Sequence, residues 1–329
     1  MTQTAAVKKH GILRRFLHSD EVSVFMPLLA IILITTLFRR DFLTVKNFSA
    51  MFTQIPFIAI CALGASFTLM TGNVDISTGR VAGFAGIFMA MLCVDYGWEP
   101  GPAILIALLI AVAIGLFNGF LVVYMKVPDF VATMGTLYMV GGARYLCIKG
   151  YELTMGKTKA SALIGFFDKR LLGMPPYFWI MLVLFAVVLV IIKKTLWGRR
   201  LLACGDNREV AALAGIDVRR KRMTAYVLAA LFSAIAGILL TLDLGIGKPE
   251  TGDGWEFRAI AGCVVGGVSL SGGKGSPLGV LIGVTLVFVA ENAIIFLGMP
   301  TTMRIAIQGA LMAGAVLFDI FRQKRKVPA

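Results

Sequence analysis

Gly273-Lys274 is where this sequence comes nearest to a phosphate-binding loop, and it falls short of one. Such a loop needs Gly-x-x-x-x-Gly-Lys followed by Ser or Thr, so that backbone N–H groups cradle phosphate and the hydroxyl holds magnesium. Here Val268 stands at the first glycine position and Gly275 at the hydroxyl position. Gly245-Ile246-Gly247 opens like a dinucleotide loop, but Glu250 occupies the third glycine position. Cys61, Cys93, Cys147 and Cys263 lie in apolar stretches and Cys204 in a polar one, and no pair has metal-ligand spacing. Buried free thiols behave as small hydrophobes, so structural disulfides are not expected. His10 and His18 lie in the N-terminal tail and form no cluster. The chain reads as having no catalytic residue, no metal and no cofactor of its own.

The remaining chemistry lies in polar side chains embedded in apolar runs, which are expensive in hydrocarbon. Gln54, Ser66, Thr68, Asn118, Glu291 and Asn292 stand out. Each has two readings, an interhelical hydrogen bond or the lining of a polar path. Glu291 is the best candidate for an acid that cycles a proton. Arg144, Asp243, Arg258 and Arg304 fall near the ends of apolar runs, where a long side chain snorkels to the interface. Phe130, Met134 and Met139 read as core or as a gate.

The elements that carry these residues are membrane helices. The 329 residues are 58% apolar and 15% charged, with a mean hydropathy of +0.85. A soluble domain would carry nearer a quarter charged residues. Apolar residues fall in many separate runs, so the expected fold is all-α, a polytopic integral membrane protein of about ten spans. The expected limits are 22–38, 50–72, 77–94, 101–124, 128–147, 174–193, 223–243, 256–270, 277–297 and 302–320. The expected organisation is a tail over 1–21, one membrane domain over 22–320 and a basic tail over 321–329. The first apolar run follows Lys8, Lys9, Arg14 and Arg15 but lacks a small-residue cleavage site, so it reads as a retained span.

Charge orients the bundle. With both termini in the cytoplasm, cytoplasmic segments hold nineteen Lys and Arg and external ones nine. That is the asymmetry expected of a multi-pass protein. The basic 148–173 loop, assigned outside, runs against it. The net charge of +14 is taken up by orientation and anionic lipid headgroups, so no nucleic-acid partner is expected.

Lys193, Lys194, Arg199, Arg200, Arg208, Arg219, Arg220, Lys221 and Arg222 crowd the one long polar break, the loop 194–222. Within it, Asp206 and Glu209 have capping-box spacing. Arg208 to Ala214 can form about two turns exposing Val210, Leu213 and Ala214, and Gly215 supplies a left-handed stop. This reads either as an interfacial anchor or as a coupling helix, Asp206, Asn207, Arg208, Glu209, Val210, Leu213 and Gly215, that docks into a cytoplasmic motor. Val74-Asp75-Ile76-Ser77-Thr78-Gly79 also resembles Val268-Ser269-Leu270-Ser271-Gly272-Gly273. Both precede a Gly-rich span and both are assigned to the cytoplasmic side.

Three stretches carry a resemblance to a family. Leu69 to Gly79 resembles the "T-G-G-I-D-L-S-V-G" segment of monosaccharide ABC-importer permeases of the ribose type. Gly198 to Ile216 is similar to that family's coupling segment, and Val264 to Ser276 to its third signature. The motif positions are Gly72, Asp75, Ser77, Gly79, Gly266, Gly267, Gly272 and Gly273. Departures are Asn73 where the family often has Gly, Arg80 after the first motif, and Gly262-Cys263 in a stretch often Ala-Val. The resemblance implies a permease in the bacterial inner membrane that takes up a pentose, hexose, deoxy-sugar or sugar-like signal. It implies a second permease subunit, a cytoplasmic ATPase that binds ATP and Mg, and a periplasmic or lipid-anchored sugar-binding protein. A neutral sugar favours Gln54, Ser66, Thr68, Asn118 and Asn292 over Glu291 for the path. The alternatives are a branched-chain amino-acid or nucleoside permease of the same type, and an ion-coupled secondary transporter relying on Glu291.

Overall fold

The computed structural model describes residues 20–148 and 152–300, together with Met303, Ala306, Gly309, Ala310, Ala313 and Gly314. Most of the tail 1–21, the tail 321–329, most of the span expected at 302–320, and His10, His18 and Arg304 lie outside the described residues.

The architecture is helical, with one short two-stranded ribbon. Helix α1 is Asp20–Phe38, followed by a 3-10 turn at Arg40–Leu43, then α2 Val45–Met70, α3 Thr78–Val94, α4 Pro100–Val123 and α5 Asp129–Ile148. Strand β1, Leu153–Thr154, and α6, Ser161–Phe167, precede α7, Pro176–Lys194. The polar break holds α8, Leu196–Asp206, and α9, Arg208–Leu213. Next come α10 Val218–Leu244, β2 Ile246–Gly247, α11 Trp255–Val265 and α12 Pro277–Phe296.

Among the described residues, α2, α4, α7, α10 and α12 are long and apolar enough to cross a bilayer, and α3 is a shorter apolar helix. Proline opens α4, α7 and α12 in the first turn, where its missing N–H costs nothing. Helix α10 is the hub and packs on α2, α3 and α4 through small residues. A Cβ on Gly237 would strike the backbone of Ala82, and one on Gly64 would fall 2.9 Å from the Ala229 carbonyl. In lipid, association rests on such close van der Waals contact.

β1 pairs antiparallel with β2, Leu153 opposite Gly247 and Thr154 opposite Ile246. The 152–154 and 245–247 segments therefore share one end of the bundle, as alternation of the spans requires.

The eighth expected span is corrected. α11 has 11 residues, about 16 Å at 1.5 Å per residue, against about 30 Å of hydrocarbon. The chain before it is not helical and runs inward along α3. Gly247 packs beside Ala90, the Thr251 carbonyl abuts Gly83, and Gly252 abuts Gly79. Gly252 and Gly254 adopt φ of +82° and +75°, which side-chain-bearing residues rarely adopt. α11 thus starts inside the helical layer. Residues 73–77, ahead of α3, are also non-helical. The Asn118 amide donates to Ser77 Oγ at 3.0 Å from five residues inside the end of α4, so this stretch also lies within the bundle. Such backbone is tolerated at membrane depth only when buried in protein or beside a water-filled cavity.

Candidate functional site

The polar break folds as two helices. Thr195 caps α8, its hydroxyl accepting from the Gly198 N–H at 3.2 Å. The expected capping box is corrected: Asp206 is the last residue of α8, and Asn207 is the cap of α9. Asn207 Oδ1 accepts from the N–H groups of both Glu209 and Val210 at 3.0 Å. The cause is tertiary. Gly205 is wedged against the Met70 carbonyl and the Gly273 N–H, and Gly273 against Asp206. That contact holds Asp206 in α8, so the chain turns one residue later, at φ −152° and ψ 111°. α9 has six residues, shorter than the two turns expected. Val210 and Leu213 are 59% and 89% exposed, Ala211 is buried, and Gly215 is left-handed at φ +76°. Cys204, read from sequence as a loop residue, is buried, and burial pushes its thiol pKa up.

All three motif segments meet at this point. The Gly273 N–H donates to the Met70 carbonyl at 3.0 Å. Gly72, Gly272 and Gly273 have φ of +68°, +89° and +75°. A Cβ on Gly72 would fall 2.9 Å from the Ser271 carbonyl, and one on Gly272 2.7 Å from the Gly72 nitrogen. Arg208 Nη2 donates to the carbonyls of Gly72 at 2.9 Å and Thr71 at 3.3 Å. The loop at 70–72 and the end of the segment 268–273 thus pack together against α8, while the chain that follows the first loop lies deeper, within the bundle.

The other motif residues shape the two non-helical stretches. Asp75 Oδ1 accepts from Ser77 N at 2.9 Å and Ser77 Oγ at 2.6 Å, a local turn that opens α3. Gly79 lets the Gly252 carbonyl and Glu256 approach α3, and Gly266 does the same for Gly279. Gly267, at φ +88°, turns the chain out of α11.

Arg144 is a second correction. Its side chain is 1% exposed, so it does not snorkel. It donates to Asp253 at 2.6 Å and to the Thr251 carbonyl at 3.0 Å, and Arg80 shares the same Asp253 carboxylate. Arg80 and Asp253 are partly exposed, at 23% and 37%, where α3 meets the inward-running segment. Charges at such a depth do not face lipid, so this side of the chain abuts protein or water. Sequence reasoning passed over Asp253; its Gly-Asp-Gly setting, with both flanking glycines at positive φ, was the available signal.

The expected path residues separate. Gln54 and Asn292 share a cavity of about 200 Å³ with Asn47 and Glu291, and Asn292 Nδ2 donates to Asn47 Oδ1 at 2.9 Å. Ser66 and Thr68 are fully buried and donate to carbonyls of their own helix, Leu63 at 2.6 Å and Ala65 at 2.8 Å. Asn118 is buried between Ser77 and Thr136 as an interhelical brace. Glu291 pairs with Arg258 at 3.2 Å. Phe130 and Met139 are exposed and Met134 is partly buried.

Among the described residues, no group of His, Cys, Asp and Glu could hold a metal ion. A bundle of apolar helices, broken at membrane depth and carrying an exposed short helix outside it, defines a membrane transport permease. Over residues 47–316 the chain belongs to the family described as branched-chain amino acid transport system / permease component. It is 30% identical over 302 residues to the autoinducer 2 import system permease protein LsrC of Yersinia enterocolitica, covering 92% of this chain and 83% of that one. It is 28% identical to the protein of the same name from Escherichia coli O157:H7, over 92% and 87% of the two chains. It is 31% identical over 319 residues to the L-arabinose ABC transporter permease protein AraH of Azospirillum brasilense, over 96% and 91%. No solved structure matches.

Proposed function

We propose that this chain is the transmembrane permease of an ABC importer that takes up a monosaccharide or a sugar-like signal molecule. The relatives named for autoinducer 2 and L-arabinose import support a sugar over a branched-chain amino acid. In this reading the protein sits in the bacterial inner membrane and pairs with a second permease subunit. A binding protein outside delivers the cargo, and a cytoplasmic ATPase that binds ATP and Mg supplies the work. The chain itself carries out no chemistry.

The observation that carries the reading is the joint between α9 and the motif loops. α9 presents Val210 and Leu213 outward while Arg208 grips the loop at Gly72. A push on α9 is therefore transmitted to the loop that leads into α3, and α3 is the helix against which the inward-running segment lies. Leu213→Asp tests this. It places an unpaired charge in the contact with the ATPase, a cost of several kcal/mol. Membrane insertion should survive, and ATPase association should fall at least tenfold, about 1.4 kcal/mol. Assembly and transport equal to those of Arg200→Asp, a control on the exposed side of α8, would leave α9 as a surface anchor.

A further inference from the structure

A cavity of about 590 Å³ opens beside the joint, and the transport reading gives it no role. Its walls are the end of α4, the turn before α5, the loop at Gly72 and Asn73, Arg208 at the start of α9, and the first turns of α10. Four cations line it, Lys126, Arg208, Arg219 and Arg222, against one carboxylate, Asp129.

Asp129 is already committed. Its Oδ2 accepts from Val74 N at 2.8 Å and Asn73 Nδ2 at 3.2 Å, and its Oδ1 from Phe130 N at 2.8 Å. The two inner guanidiniums are brought side by side on neutral acceptors of one loop, Arg208 chiefly on the Gly72 carbonyl at 2.9 Å. Arg222 Nε donates to Asn73 Oδ1 at 2.9 Å, and Arg208 Nη2 approaches the same oxygen at 3.4 Å. Like charges drawn together on neutral oxygens are stabilised by an anion between them, and guanidinium forks match phosphate oxygens in pairs. Lys126 is held at φ +58°, a left-handed conformation uncommon for a residue with a side chain, at the lip of this cavity.

We propose that this cavity binds a phosphate group, carried by a lipid headgroup or by a soluble phosphate compound, and that the bound group ties α9 to the loop at Asn73. The position fits both sources. The cavity sits at the end of a spanning helix, beside the exposed, stacked rings of Phe120 and Tyr124, and aromatic residues gather at the headgroup level. It is also open to the side that carries the basic loop. An acidic peptide is the weaker occupant, because the cationic centre lies in a recess a few side chains across.

The test uses the purified full chain in discs of zwitterionic lipid, without an ATPase, so it stands or falls separately from the transport reading. The midpoint of thermal unfolding is followed while phosphatidylglycerol is added to the discs, or inorganic phosphate to the buffer, at fixed ionic strength. Stabilisation that saturates is expected, as for a ligand that binds the folded state alone. Arg222→Gln should weaken the apparent affinity at least tenfold. Because Arg222 also braces Asn73, Arg219→Gln is the second variant; it is exposed and should weaken binding severalfold while folding normally. Arg200→Gln, outside the cavity, should leave binding unchanged. Saturation with the lipid alone assigns the headgroup source, and saturation with phosphate alone assigns the soluble one. No saturable shift with either, or a shift equally affected by Arg200→Gln, overturns the proposal.

Discussion

Gly205 shows at the scale of one residue how little room the joint leaves. The Met70 carbonyl and the Gly273 N–H lie where its side chain would be. Gly205→Ala therefore requires three backbone segments to part, and we expect loss of folded protein or of coupling. Gly165→Ala, in α6 with nothing within 4 Å of the added atom, should be silent. Yields and unfolding temperatures of the two variants check this. Asn207 gives a finer test. Asn207→Ala removes an acceptor for two N–H groups, about 1 kcal/mol for a lost cap, whereas Asp206→Ala removes none of the observed cap bonds. Faster amide exchange at Glu209 and Val210 in the first variant alone is the expected result. Equal effects would restore the Asp206 capping box. Asp206, three residues before Glu209, was the natural choice from local spacing. The register that moved the cap to Asn207 comes from Gly273, far away in sequence, and no local pattern carries that information.

At the scale of the element, the sequence was readable where helices cross alone and failed where they break. Helices α4, α7 and α10 follow long charge-free runs, and their limits fall within a few residues of those expected, α10 starting earlier because Asp217 caps it through Arg220 N at 3.0 Å. The run at 256–270 had the composition of a span but ends as an 11-residue helix. Hydropathy reports burial and not direction, so a buried half-helix and a crossing one look alike. Glycine density was the legible warning. Arg144 failed in the same way: its place near the end of an apolar run suggests snorkelling, while its partner Asp253 arrives on a segment not expected to enter the bundle. Removing that partner tests the account. Asp253→Leu leaves the Arg144 guanidinium buried and unpaired, which costs about 3 kcal/mol, the low end for a buried pair because Asp253 is 37% exposed. The double variant Arg144→Met, Asp253→Leu should recover most of the lost stability. A single variant as stable as the parent would show that Arg144 reaches water by another route.

For the whole molecule, the question is which sides face lipid, water and, in the proposed assembly, a second subunit. Alternation of the spans, with 152–154 paired to 245–247, sets those segments at the end opposite the joint of Gly72, Gly205 and Gly273. In the topology expected from charge asymmetry, the joint lies on the cytoplasmic side. With the native cysteines removed, an impermeant thiol reagent added to intact cells should label Lys157→Cys and leave Arg208→Cys untouched. Native Cys204 should resist the reagent even in opened cells, since its thiol is buried and its pKa raised. The membrane-depth surface is the harder case. Phe257 is exposed on the half-helix α11, in the turn that follows Asp253. Because Arg80 and Asp253 beside it cannot face hydrocarbon, the surface they share lines either a subunit contact or a wet path. Alternating access makes those two options separable. If α9 drives the loop ahead of α3, Phe257→Cys in the assembled transporter should react with the impermeant reagent in one nucleotide state and be protected in another, and cargo should slow the reaction. Protection in every state would make this surface a fixed subunit contact. Reaction only with lipid-soluble reagents would turn it toward the bilayer, and the path would then lie on the α2–α12 side, at the cavity of Gln54 and Asn292.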